Sequence, residues 1–292
     1  MKALVVGMDY FSDRFRYLLE KEGLYVRKAR KLPRELDCDM AFFSGALCTP
    51  ENISRALRGG IDVFSEQLIF GPSGDFSFVQ YAREHGLKLY IGSFDIFNPV
   101  VRNVSELIKG RKVLGMRLDR IGPISHSKID IVEDSVLHGI GTLMYITGAE
   151  KASMEIMSCF ADKGRSRCTL MMRIGEVDAQ LTASNVNEYK ERIIEIFCKT
   201  LRIRADLLRQ EIHILDARIS DPNLCDAGAW SFRSYFVRKE EPLMALVSDF
   251  MNREGNPVSY AFVGRVLEKT LEAKTMLAGP VGITARPHQS SS

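Results

Sequence analysis

The chain has 292 residues, 46% apolar and 26% charged, the make-up of a folded protein with a sizeable core and length for two domains. Its 40 Lys and Arg against 37 Asp and Glu leave a net charge of +3, too balanced for a sequence-independent grip on nucleic-acid phosphates. No stretch reaches the roughly 18 uninterrupted apolar residues of a membrane span, and MKALVVGMDY carries no small-residue cleavage site behind it, so the expectation is a cytoplasmic protein with neither membrane nor nucleic acid as partner.

The first third alternates short apolar runs with amphipathic patterns. Lys2 to Gly7 reads as a buried strand, and Ser12 to Glu22 sets Phe15, Leu18 and Leu19 on one helical face. Extended runs follow at residues 24–29, 39–43, 61–65 and 87–92, with helical patterns at 50–58 and 74–85. That rhythm predicts βαβ units and a Rossmann-like parallel sheet. After about residue 110, strand candidates at 112–119, 151–161, 167–173, 176–182, 192–198 and 211–219 leave no room for crossover helices, which predicts an open, mainly antiparallel sheet. Helices are expected near residues 133–147, 240–253 and 260–277. The fold class is thus α/β, with residues 1–110 a Rossmann-like domain, of the dinucleotide-binding type, 111–278 an α+β domain, and 279–292 a frayed tail. Cys38, Cys48, Cys159, Cys168, Cys198 and Cys225 show no metal-ligand spacing and read as reduced small hydrophobes, so no metal site is expected.

A strand that runs into a glycine turn and a helix is where a dinucleotide fold seats pyrophosphate. Here the turn is Gly7-Met8-Asp9-Tyr10-Phe11-Ser12. Against G-x-G-x-x-G only Gly7 fits; Asp9 brings bulk and negative charge where a glycine admits phosphate, and Ser12 is small enough for close packing. Gly7 equally serves as a plain strand-to-helix turn. The second strand ends in Arg27-Lys28-Ala29-Arg30-Lys31, with no acid for a ribose hydroxyl. This run reads as a solvated basic face, or, if a dinucleotide binds, as a preference for NADP over NAD through Arg30.

Further along stand Asp39-Met40-Ala41-Phe42-Phe43, Cys48-Thr49-Pro50, the run from Ala56 to Leu68 (ALRGGIDVFSEQL), Gly86 to Gly92 (GLKLYIG), Phe97-Asn98-Pro99, Asp134-Ser135-Val136-Leu137-His138 and Leu143 to Gly148. In this order and spacing they resemble the Gfo/Idh/MocA family of glucose-fructose oxidoreductase and inositol dehydrogenase. Residues 243–250, 255–257 and 260–273 look like that family's closing helices. The resemblance implies an NAD(P)-dependent oxidoreductase acting on a sugar or polyol derivative, with Thr49, Pro50 and Glu66 on the cofactor side together with Gly7, Asp9, Ser12 and Arg30. It also implies a Glu-Lys-Pro motif, whose lysine holds substrate and cofactor, and an aspartate four residues before a histidine. The second motif is matched by Asp134 and His138. The first is broken: the chain has Glu66-Gln67-Leu68, and an amide cannot transfer a proton. Gly139 and Gly141 replace further acids of the pattern.

An imidazole titrates near working pH and suits removal or return of a hydroxyl proton during hydride transfer. At i and i+4 on a helix, Asp134 and His138 face one way, so the carboxylate supports the imidazolium. The pair reads as catalytic with Gln67 positioning, or as a surface pair without chemistry. His85 and His126 read as loop or surface residues and His213 as solvent-facing. Trp230, Phe232, Tyr235 and Phe236 wall a pocket or pack on the final helices. Family members commonly pair through the open sheet, so Ile156, Leu170, Met172, Leu181, Ile194 and Ile196 are expected on a free face that makes a homodimer or higher homo-oligomer. Two functions remain: a nicotinamide-dependent oxidoreductase, or a catalytically degenerate relative that binds a ligand or regulates.

Overall fold

In the computed structural model, which describes residues 1–70, 74–92, 94–123, 130–148, 153–217, 230–252, 258–278 and 284–285, the β-branched and aromatic runs of the first hundred residues form short buried strands. In chain order the elements are β1 (Lys2–Val6), α1 (Tyr10–Lys21), β2 (Tyr25–Ala29), β3 (Met40–Phe43), α2 (Pro50–Arg58), β4 (Asp62–Ser65), α3 (Ser77–Glu84), β5 (Leu89–Ile91) and α4 (Pro99–Ile108). There follow β6 (Val113–Pro123), a π turn (Val132–Val136) running into α5 (Leu137–Ile146), β7 (Met154–Ala161), β8 (Arg167–Ile174), β9 (Val177–Asn187), β10 (Glu191–Cys198) and β11 (Leu201–Asp206). The last are β12 (Glu211–Ala217), β13 (Trp230–Phe236), α6 (Pro242–Asn252), α7 (Tyr260–Ala278) and β14 (Thr284–Ala285). His126, Cys225, residues 255–257 and most of the 279–292 tail lie outside the described residues, as does the side chain of Trp230.

The chain divides into two compact units that are not continuous in sequence: Met1–Phe97 with Ser127–Gly141 and Glu241–Leu271, and Asn98–His126 with Thr142–Glu240 and Glu272–Ser292. The first holds a five-stranded parallel sheet in the order β2-β1-β3-β4-β5, as the βαβ rhythm predicts. Its core is aromatic. Phe64 stacks between Phe42 (ring centroids 5.4 Å) and Tyr90 (5.3 Å), with Phe15 of α1 edge-on at 5.1 Å and Phe250 of α6 at 6.0 Å. Edge-on and offset contacts of this kind add to the area these rings bury. The strand order reverses direction between β1 and β3, the kind of switch point at which open α/β sheets present a crevice at the carboxyl ends of their strands.

The second unit holds a nine-stranded sheet in the order β13-β12-β11-β10-β6-β9-β8-β7-β14. It is antiparallel except for β6 and β9, which run parallel from Gly115 beside Asp178. β11 had no counterpart among the predicted strands, and α4 none among the predicted helices. Asn98 caps α4 by accepting the Val100 N–H at 2.9 Å, and its amide donates to the Leu207 carbonyl at 3.0 Å.

One expectation about this sheet is overturned. Ile156, Leu170, Met172, Leu181, Ile194 and Ile196 are all fully buried within the chain and face the core. The alternate residues form the open face: Arg117, Glu195 and Arg204 stand in register across β6, β10 and β11, with Arg202 opposite Phe197 reaching Glu195 diagonally, and Phe160, Met171, Phe232 and Phe236 are exposed. With a side-chain period of two, the alternation separates two faces but does not say which of them the chain covers itself. His213 lies on this open face, half-buried, against Glu211 at 3.3 Å and stacked on Phe232. Cys48, Cys159 and Cys168 are buried free thiols and Cys38 and Cys198 half-buried ones.

Since Phe64 touches four other rings, Phe64→Ala is expected to lower the unfolding free energy by about 3–5 kcal/mol. Urea denaturation followed by circular dichroism checks this; a loss under about 1 kcal/mol would show that the ring cluster is not the centre of the core.

Candidate active site

The first turn of α1 is built around Asp9. This residue is the N-cap: its Oδ1 accepts the Ser12 N–H at 2.8 Å, while the Ser12 hydroxyl donates back to the Asp9 carbonyl at 2.7 Å. The same Oδ1 accepts the Ser44 hydroxyl at 2.8 Å, which ties the end of β3 to the start of α1. Gly7 is held by its N–H to the Ala29 carbonyl at 3.0 Å, and a Cβ there would come within 2.1 Å of the Ser44 Oγ. Gly45 is crowded in the same way, since a Cβ on it would meet Asp9 Oδ2 at 2.3 Å.

Gly45 is also where the Glu66-Gln67 pair arrives from the end of β4. Its N–H donates to Glu66 Oε2 at 3.3 Å, and its carbonyl accepts the Gln67 side-chain amide at 3.3 Å. The Ser65 hydroxyl pins the Gln67 carbonyl at 2.7 Å. Both Glu66 and Gln67 are buried. Burial pushes the Glu66 carboxyl up to about 8, the Gly45 N–H opposes that rise, and the charges of Asp9 and Asp134 add to it. Beside them Cys48, pushed up to about 12 by burial, is chemically quiet.

The π turn Val132–Val136 and the first turn of α5 lie over the carboxyl ends of β4 and β5. Glu133, buried, accepts the Phe70 N–H at 2.9 Å. Leu137 packs on Gly92, whose φ of +64° favours glycine and where a Cβ would meet Leu137 Cδ2 at 2.9 Å. This places His138, 4% exposed, with its Nε2 3.6 Å from Oδ1 of half-exposed Asp134. The spacing places the two side chains together as the helical reading expects, although Asp134 sits in a π turn rather than an α-helix.

Asp9, Ser12, Glu66, Gln67, Asp134 and His138 therefore gather on one unit, at the carboxyl edge of the parallel sheet. Thr49 and Pro50 cap α2: Thr49 accepts the Asn52 N–H at 3.3 Å and Pro50 fills the first helical position, where no N–H is needed. Arg30 is exposed just past β2, next to the Ala29 carbonyl that holds Gly7. Lys28 of the same basic run is engaged by Asp13. Sequence reasoning missed Ser44 and Gly45, whose only signal is their place directly after the third strand, and Glu133, for which the sequence carries no signal.

Most of this crevice fits a dinucleotide. A glycine without room for a Cβ, a small buried Ser12, a switch point between strands and an exposed arginine at the end of β2 are the features such a cofactor uses. The exception is Asp9, whose carboxylate occupies the N-terminus of α1.

No protein-family model matches the chain, and no curated protein matches it by sequence. Solved structures do. UDP-N-acetylglucosamine 3-dehydrogenase GnnA from Acidithiobacillus ferrooxidans is 18% identical over 94% of this chain and 97% of its own, with a TM-score of 0.77. Levoglucosan dehydrogenase, in complex with NADH and L-sorbose, is 12% identical over 99% of each chain with a TM-score of 0.75. The dehydrogenase MviM from Clostridium difficile is 14% identical over 94% of this chain and 99% of its own, at 0.69. The chain has the fold of these dehydrogenases, and among the described residues no helix is long and apolar enough to cross a membrane.

The raised Glu66 carboxyl has a consequence for stability. Its folded value near 8 lies above the ordinary 4.5, so the folded chain holds a proton there that the unfolded chain has already released. Stability falls as pH rises between those two values and is lost in full only above the higher one. In Glu66→Gln this part of the slope disappears. Melting temperatures of the two proteins across that range are expected to converge as pH falls and diverge as it rises; parallel curves would place the Glu66 proton elsewhere.

Proposed function

We propose that this chain is a divergent Gfo/Idh/MocA-type oxidoreductase that takes a sugar or polyol derivative, with His138 as the proton-transfer residue. The observation that carries this reading is the buried His138 beside Asp134, whose charge acts in turn on the buried Glu66. The sugar-dehydrogenase neighbours support the substrate class.

His138 takes the proton from a substrate hydroxyl in oxidation and returns it in reduction, and Asp134 stabilises the imidazolium that forms between. Gln67 carries no charge. It fixes the turn at Gly45 and leaves proton movement to His138. Glu66, protonated at neutral pH by its burial, is a neutral hydrogen-bonding wall rather than a second base. Gly7, Ser12 and Arg30 are the residues that would hold a dinucleotide, and a bound nicotinamide supplies the hydride acceptor or donor. The cation at Arg30, with no acid at the end of β2, favours NADP over NAD.

A second reading, a ligand-binding or regulatory protein without turnover, is favoured by the Asp9 carboxylate on α1 and by the lost lysine at Gln67. The small-molecule ligand is the same. Homo-oligomers remain part of the proposal, now through the open face that carries Phe160, Met171, Phe232 and Phe236. Light scattering that returns 32.9 kDa at micromolar concentration would remove that part.

A panel of sugars, polyols and their derivatives with NADP and NAD separates the readings. In the oxidoreductase, His138→Asn lowers turnover by about 10²- to 10⁴-fold with dinucleotide affinity nearly unchanged. Gln67→Lys raises a weak activity, and Arg30→Ala narrows the gap between NADP and NAD. Saturable ligand binding with no turnover in any of these proteins would establish the second reading. Turnover that survives intact in His138→Asn would put the proton on another residue.

A further inference from the structure

We propose that Asp9 is a built-in competitor for the pyrophosphate of a dinucleotide, so that the cofactor binds only when the Asp9 carboxylate leaves the first turn of α1. This inference rests on the dinucleotide part of the function proposed above. An anion placed in the crevice between β1 and β3 draws on donors at the start of α1 and at the end of β3. In this chain three such donors are already used. The Ser12 N–H and the Ser44 hydroxyl both donate to Asp9 Oδ1 at 2.8 Å, and the Gly45 N–H donates to Glu66 Oε2 at 3.3 Å. Asp9 Oδ2 fills the space beside Gly45, 2.3 Å from the position of an added Cβ. The chain's own Asp9 carboxylate thus satisfies two of the partners a phosphate would use, in the place a phosphate would sit, and carries the same sign of charge.

Two separable effects follow. The capping state must be broken before the anion can enter, which lowers apparent affinity by the population ratio of capped to open turn; a cap of this kind corresponds to about five- to thirtyfold. The displaced carboxylate also remains close to the pyrophosphate and repels it. Asp9→Asn keeps a good cap but removes the charge, whereas Asp9→Gly removes both and costs little as an N-cap. Ser44→Ala leaves Asp9 in place but deletes one of the two donors that hold it.

Titration calorimetry with NADH and NADPH, on the full chain and on each variant after its fold is checked by circular dichroism, reads these effects directly. Expected is weakest binding to the unmodified chain, tighter binding to Asp9→Asn and Ser44→Ala, and tightest to Asp9→Gly, by at least about tenfold over the unmodified chain for both cofactors. Equal affinity in the unmodified chain and Asp9→Gly would overturn the competitor while leaving the dinucleotide reading intact. No binding of either cofactor to any of the four proteins would overturn both.

Discussion

The site depends on one carboxylate. Asp9 closes the N-terminus of α1, receives Ser44 from the end of β3 and abuts Gly45, so two segments that the fold brings to a switch point are fastened through a single side chain. A helix N-terminus favours negative charge whether the charge is covalent or bound. In this chain it is covalent. The helix start thus carries an anion of the chain's own, and at neighbouring Gly45 the Gln67 side chain brings a neutral amide.

Such a concentration of acids carries a cost that the structure offsets at Glu66. The charges of Asp9 and Asp134 both act on Glu66, and burial, the larger effect, tips it toward its protonated form. A neutral Glu66 no longer opposes either carboxylate at neutral pH. His138, buried, stands beside half-exposed Asp134. The buried carboxyl of Glu66 is thus held toward its neutral form. Glu133 contributes in another way: by accepting the Phe70 N–H it joins the segment after Gln67 to the π turn that carries Asp134.

Much of the scaffold was legible in the sequence, because hydrophobic period and turn chemistry act locally. The predicted helix at 50–58 has the bounds of α2, since Thr49-Pro50 is both cap and first-turn signal. α4 carried the same signal in Asn98-Pro99, followed by Val100, Val104 and Ile108 at helical spacing, yet no helix was assigned there. β11 alternates Leu201, Ile203 and Ala205 with Arg202 and Arg204; its arginines meet Glu195 on β10, a partner no local pattern reveals. The sheet's buried face was chosen wrongly for the same reason, because which row is covered depends on the rest of the chain. At the site, Asp9 was legible as an obstacle to phosphate. Its partners Ser44 and Gly45 were not, being brought to it only by the pairing of β1 with β3.

The two glycine positions of the turn carry different weight as signs of a cofactor. Gly7 has no room for a Cβ beside Ser44, so packing between β1 and β3 demands glycine there whether or not a nucleotide ever binds. Its presence is explained by the scaffold alone. Position 9 is under no such restriction: it is the N-cap, where Asp, Asn, Ser and Gly are all acceptable to the helix, and an acid is among the best. What the fold requires is therefore kept at Gly7, and what a pyrophosphate would require is free to change at Asp9. At that position the Asp9 carboxylate serves the chain's own stability, adding a cap and a tie to Ser44. A fold shared with dehydrogenases at 18% identity or less is compatible with the first kind of constraint, which acts on packing and leaves the side chain at the N-cap open.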